Sequence, residues 1–139
     1  MRLVGWFQLV TGSAMLGLWG VLVATDQVAE LAEGRVDILF HLAAEVITAA
    51  LLIVGGLGLL RSATAAARLL AGFGLGALLY TTVNSAGYYA ELGDRPMVIM
   101  FAVLALATVG AFAVLRRDGR AATDPSAPRV PIGTGTPDR

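Results

Sequence analysis

The chain has no cysteine and no lysine, holds a single histidine, and carries charge on only 14% of its 139 residues, against roughly 25% in an average soluble domain. Without cysteine there is no disulfide, no thiolate metal site and no thiol nucleophile. Ten arginines offset ten acidic residues, so the formal charge is zero and no basic field exists to attract nucleic acid. The composition is instead 57% hydrophobic. A soluble globule of this size needs far more polar surface than the chain can provide.

The apolar residues are gathered into four runs, Leu3 to Ala24, Ile38 to Leu60, Leu69 to Ala90 and Met97 to Leu115. Each is close to the 20 or so residues that cross a bilayer as a helix. Short polar breaks separate them, the last containing Gly93-Asp94-Arg95-Pro96, which resets the chain. The expected fold is all-α: a polytopic membrane protein built as an up-down four-helix transmembrane bundle over residues 1–115. Residues 116–139 turn to Arg, Asp, Pro, Gly, Ser and Thr, and are expected to form a disordered cytoplasmic tail.

Arginine placement orients the bundle. Arg2, Arg61, Arg68, Arg116, Arg117 and Arg120 fall on one side, while Arg35 and Arg95 stand among six acidic residues on the other. By the positive-inside rule this is a multi-pass cell-membrane protein with both termini in the cytoplasm. Trp6 then lies near the inner interface, and Tyr88 and Tyr89 near the outer one. The first run exceeds a signal-peptide core in length, contains Gln8 and ends in a poor cleavage pattern, so it reads as a retained span.

Helices in lipid associate by close packing of small residues. Gly12 with Gly20, Gly55 with Gly58, Gly72 with Gly76, and Ala107 with Ala111 are the expected contact faces. The glycines at 72, 74 and 76 are not a nucleotide loop, because no strand precedes them and no phosphate-binding Lys or Ser/Thr follows.

Ionisable groups inside a span cost about 2.5–3.5 kcal/mol each on insertion scales, which makes them functional candidates. His41 and Glu45 stand four apart on the second span, hence on one face, with Asp37 extending the stripe outward. The third span carries Tyr80, Asn84 and Tyr88 at the same spacing. If the two spans run antiparallel about the break after Leu60, residues whose numbers sum to about 129 lie level. Glu45 is then level with Asn84, and His41 with Tyr88; Trp19 of the first span is level with Ala43, and Met100 closes the outer half from the fourth. The expectation is an outer-half polar pocket with His41 and Glu45 as an acid/base pair and Asp37, Trp19, Tyr80, Asn84, Tyr88 and Met100 as ligand-binding residues.

Three functions fit that pocket. Tyr, Asn and His around an apolar cleft supply donors for a carbonyl oxygen, so the pocket suits a lipophilic ligand such as a quinone or lipid delivered by the bilayer. Alternatively, His41 and Glu45 share a proton and act as an intramembrane enzyme of the isomerase type on a lipid or isoprenoid. In the third reading Glu45 only hydrogen-bonds a neighbouring helix, and the small-residue faces dock a partner protein or a second copy. A metal is not expected, since one histidine and nearby carboxylates leave the ligand set short.

The stretch from Ala44-Glu45-Val46 through Leu51-Leu52-Ile53-Val54-Gly55-Gly56-Leu57-Gly58-Leu59-Leu60-Arg61 and into the third span resembles the DoxX-like group of small four-span membrane proteins. That resemblance implies an accessory subunit of a membrane oxidoreductase, linked to quinone chemistry, with Glu45 and Arg61 as the positions carried over. The shorter segment Phe40-His41-Leu42-Ala43-Ala44-Glu45 is similar to the His/Glu helix of the EXPERA superfamily. There the pair serves proton transfer at a lipid double bond.

Overall fold

A computed structural model describes residues 1–26, 28 and 35–121, with the side chains of Asp37, Arg120 and Ala121 outside that description. It consists of four helices: α1, Arg2–Ala24; α2, Val36–Arg61; α3, Ala65–Glu91; and α4, Arg95–Ala121. All four are long and apolar enough to cross a membrane. Their surfaces agree with that role. Leu18, Val21, Ile47, Leu69, Phe73, Val83, Val103 and Leu106 all point away from the bundle. In water this coat would be a continuous apolar patch; in lipid it is the solvated surface.

The helix ends are set by local chemistry. The Thr64 hydroxyl accepts from Ala67 N at 3.3 Å and caps α3. Asp94 does the same for α4, accepting from Met97 N at 3.3 Å, and Pro96 occupies the first turn, where its missing N–H is no loss. Gly93 takes φ +73° between α3 and α4, a conformation glycine adopts without strain. At the end of α2, Ser62 and Ala63 both donate to Gly58 O at 3.1 Å, but Ala63 pays for this with φ +44°. Ala63→Gly should therefore stabilise the protein by about 0.5–1 kcal/mol, read as a higher thermal midpoint in detergent. An unchanged or lower midpoint would count against strain at this turn.

The fourth helix continues past the expected end at Leu115, so residues 116–121 are helical rather than part of a disordered tail. Arginine is a good helix former, and Asp118 is tied back to the start of α1 through an ion pair with the Met1 amine at 2.9 Å. The rest of the expected tail, 122–139, lies outside the described residues.

Consecutive helices pack on each other, α1 with α2, α2 with α3, and α3 with α4; among the described residues α1 touches α3 and α4 only locally, and α2 does not reach α4. The four helices meet at the arginine-rich end, where Val4, Leu59, Ala71, Leu75 and Leu115 form one buried cluster. Glycines bring the backbones together. A Cβ on Gly56 would sit 2.7 Å from Gly5 O, one on Gly12 would sit 2.8 Å from Ala49 O, and one on Gly55 would sit 2.9 Å from the Ala71 Cα. Of the small-residue pairs expected to be contact faces, Gly12, Gly55 and Gly58 are at crossings, and Ala111 packs against the core cluster. Gly20, Gly72 and Gly76 meet nothing within 4 Å, and Ala107 is exposed. Small residues mark a face that can approach closely, but not whether another helix covers it.

Candidate functional site

Glu45 is the polar group that most needs explanation. It lies on α2 seven residues after Ile38, about 10 Å from the end of the helix opposite the arginine-rich end, and is 8% exposed. The i, i+4 spacing places His41 one turn outward on the same face. From α1, Trp19 meets both. Its ring centroid is 5.9 Å from that of His41 in an edge-on arrangement, which sets the indole beside the same face of α2 that carries Glu45. Trp19, His41 and Glu45 thus form one cluster, at the depth the register arithmetic expects.

This cluster is held in a part of the protein with little other packing. The buried residues of α1, namely Val4, Gly5, Gln8 and Gly12, all belong to its first half. Further along, Gly17 and Gly20 meet nothing within 4 Å. The indole contact therefore ties down a stretch of α1 that is otherwise open, and His41, half-buried, keeps an accessible edge.

The remaining expected pocket residues are not brought to Glu45. Tyr80 is 72% exposed, Tyr88 58% and Met100 48%, and Asn84 is exposed as well. The buried stripe of α3 runs through Ala67, Ala71, Gly74, Leu75, Leu78, Thr81 and Thr82, and Tyr80, Asn84 and Tyr88 lie off it. Two things separate them from Glu45. The helices α2 and α3 cross with Gly58 at Ala67 and Gly74 at Leu51, about one turn from the expected register, so Glu45 is level with Tyr80 and Thr81 and not Asn84. Rotation about the axis also turns Tyr80, Asn84 and Tyr88 outward. Tyr88 meets Tyr89 edge-on at 5.3 Å, and Tyr89 stacks on Phe101 of α4 at 5.6 Å, so the outer ends of α3 and α4 share an aromatic cluster of their own. The expected contribution of the Asp37 side chain lies outside the described residues.

One buried polar residue was not assigned to the pocket and proves central to packing. Gln8 is 0% exposed, and its amide donates to Ala71 O at 2.8 Å, joining α1 to α3. Its Oε1 has no hydrogen-bond partner. The spacing of Gly5, Gln8 and Gly12 along one helix face was the available signal. Thr81, Thr82 and Thr108 are buried too, but their hydroxyls donate to carbonyls of their own helices and carry no link between helices. Among the described residues no group of three or more His, Cys, Asp or Glu is placed to hold a metal ion.

Chemically, the cluster offers a carboxyl group, an imidazole with one open edge and an indole donor, in a low-dielectric setting that strengthens each hydrogen bond. It can receive a polar head group or hold and pass a proton. No curated protein and no solved structure matches the chain. The model of a family described as a domain of unknown function, DUF8058, matches residues 1–124, and the chain belongs to that family.

Proposed function

We propose that the protein binds a lipophilic, carbonyl-bearing ligand of the quinone kind in the outer half of the bilayer, with its polar head against Trp19, His41 and Glu45, as an accessory subunit of a membrane oxidoreductase. The observation that carries this reading is a carboxyl group buried well inside a span and joined by an imidazole and an indole, where the adjoining helix is loosely packed. A residue used only to lock two helices would serve best where they already press together, as Gln8 does. Glu45 instead stands beside the part of α1 that has no buried residue after Gly12, the side from which a bilayer ligand would enter. Lipid extraction after mild purification tests this: a quinone or other prenyl lipid should co-purify with the wild type and be depleted in Glu45→Leu. Equal lipid content in both would contradict it.

The enzyme alternative rests on the spacing of His41 and Glu45, one turn apart on the same face of α2, which suits proton transfer to a lipid or isoprenoid. The partner role has its own support. Tyr80, Asn84 and Tyr88 expose polar groups along one side of α3 within a span, and such groups are best satisfied by another transmembrane protein or a second copy.

We assign both termini to the cytoplasm from the arginine distribution. Cysteine labelling of the cysteine-free chain checks the assignment. Ser62→Cys should react only from the cytoplasmic side and Glu91→Cys only from outside. Labelling of both from one side would overturn the topology. Ser62 is chosen over its neighbour Thr64, whose hydroxyl caps α3.

A further inference from the structure

A second feature lies far from Glu45, at the arginine-rich end. Between α3 and α4, an open groove of about 890 Å³ runs along the outside of the bundle. That is within the range of roughly 300–1,000 Å³ typical of small-molecule sites. Its floor is formed by Gly72 and Gly76, with Phe73 and Phe112 along it and Arg68 and Arg116 at its end. A Cβ at either glycine would meet nothing within 4 Å, so the floor is open space and not a filled helix crossing. From Arg68 to the far lining residue Ala77 the groove extends about 13 Å along α3.

The two arginines make this more than an apolar furrow. Arg116 lies over the Phe112 ring at 5.6 Å, which holds its guanidinium at the groove. Arg68 has a buried Nε with no hydrogen-bond partner, a donor that calls for an acceptor. The nearest carboxylate, Asp118, is engaged by the Met1 amine at 2.9 Å. The charge left at this end is positive, next to an apolar trough that points toward the bilayer centre.

The geometry points to a binding site for an anionic phospholipid of the cytoplasmic leaflet, with an acyl chain along Gly72, Phe73, Gly76 and Phe112 and the phosphate between Arg68 and Arg116. Basic pockets between transmembrane helices on the cytoplasmic side bind acidic head groups by this chemistry. The site is independent of the ligand proposed at Glu45, and variants at one should leave the other unchanged.

Native mass spectrometry of the full chain, released from bilayer discs of equal phosphatidylglycerol and phosphatidylcholine, tests it. The wild type should retain phosphatidylglycerol with a preference of about thirtyfold, the scale that two near-surface arginines provide. Arg116→Gln should reduce the preference, and Arg68→Gln combined with Arg116→Gln should abolish it. Gly76→Leu should block retention of both lipids with no change in thermal midpoint, because the added side chain occupies open groove. Equal retention of the two lipids by the wild type would overturn the proposal, as would undiminished phosphatidylglycerol retention in Gly76→Leu. A lipid-free dimer that Gly76→Leu dissociates would equally overturn it, by assigning the groove to a second copy of the chain.

Discussion

Gly56→Val is expected to drive α1 off α2 and to cost about 3 kcal/mol or more of stability, the upper end of overpacking penalties. The size follows from what the new side chain meets. Even its Cβ would lie 2.7 Å from Gly5 O and 3.0 Å from Leu9 N, both backbone atoms that no rotamer change can move aside. Relief requires the two helices to separate, which would also pull Gln8 from its hydrogen bond to Ala71 O. Gly12→Val should behave similarly, with Ala49 O 2.8 Å from the added Cβ. Gly20→Val is the control: nothing lies within 4 Å, and the change should stay within about 0.5 kcal/mol. Unfolding in graded denaturing detergent, followed by helical circular dichroism, measures the difference. Equal midpoints for the variants at 56 and 20 would mean that α1 and α2 do not cross where the glycines place them.

Substitutions at Glu45 should separate stability from binding. If the carboxyl is kept for function, Glu45→Leu removes a costly group from the span and should leave the protein as stable as the wild type or more so. If it only joins helices, the same change should lose about 0.6–2 kcal/mol, the range found for interhelical hydrogen bonds in membranes. Ligand affinity should move the other way. Loss of a hydrogen bond to a charged or strongly polar partner costs about 1.5–3 kcal/mol, equivalent to a drop of roughly ten- to a hundredfold. Glu45→Gln keeps an acceptor for the Trp19 indole, so it should preserve the fold and much of the binding while abolishing any proton transfer. Retained turnover in Glu45→Gln would exclude the enzyme role. A Glu45→Leu protein that is destabilised yet binds ligand normally would leave Glu45 as helix glue.

The four helices were readable from the sequence because bilayer thickness sets their length and lipid sets their composition, and both leave long apolar runs. The cluster of Trp19, His41 and Glu45 was readable too, because Trp19 falls level with Ala43, between His41 and Glu45. Rotation about the helix axis was not. Asn84 lies about one turn beyond the level of Glu45, because α2 and α3 cross with Gly58 at Ala67 and Gly74 at Leu51, and the stripe from Ala67 to Thr82 turns it outward as well. The same ambiguity affects the glycines. Gly12 and Gly20 look alike in the sequence, but only Gly12 is at a crossing. Which of several small-residue faces is used depends on how every helix fits its neighbours at once, and that information is not local. The groove at Arg68 and Arg116 was hidden for this reason too, since its lining comes from α3 and α4 with Leu51 of α2, whose relative rotations had to be known first.

The proposed site sets a lipophilic carbonyl compound against Trp19, His41 and Glu45. The chain has two tryptophans, so Trp6→Phe leaves Trp19 as the sole reporter, in contact with His41 at the proposed site. Titrating this variant in bilayer discs with a short-chain benzoquinone, an efficient quencher of indole emission, gives the most direct reading. Occupancy of the site should give saturable quenching that Glu45→Leu or His41→Ala abolishes, with only a weak linear component remaining. Linear, non-saturating quenching that is the same with and without Glu45 would contradict it.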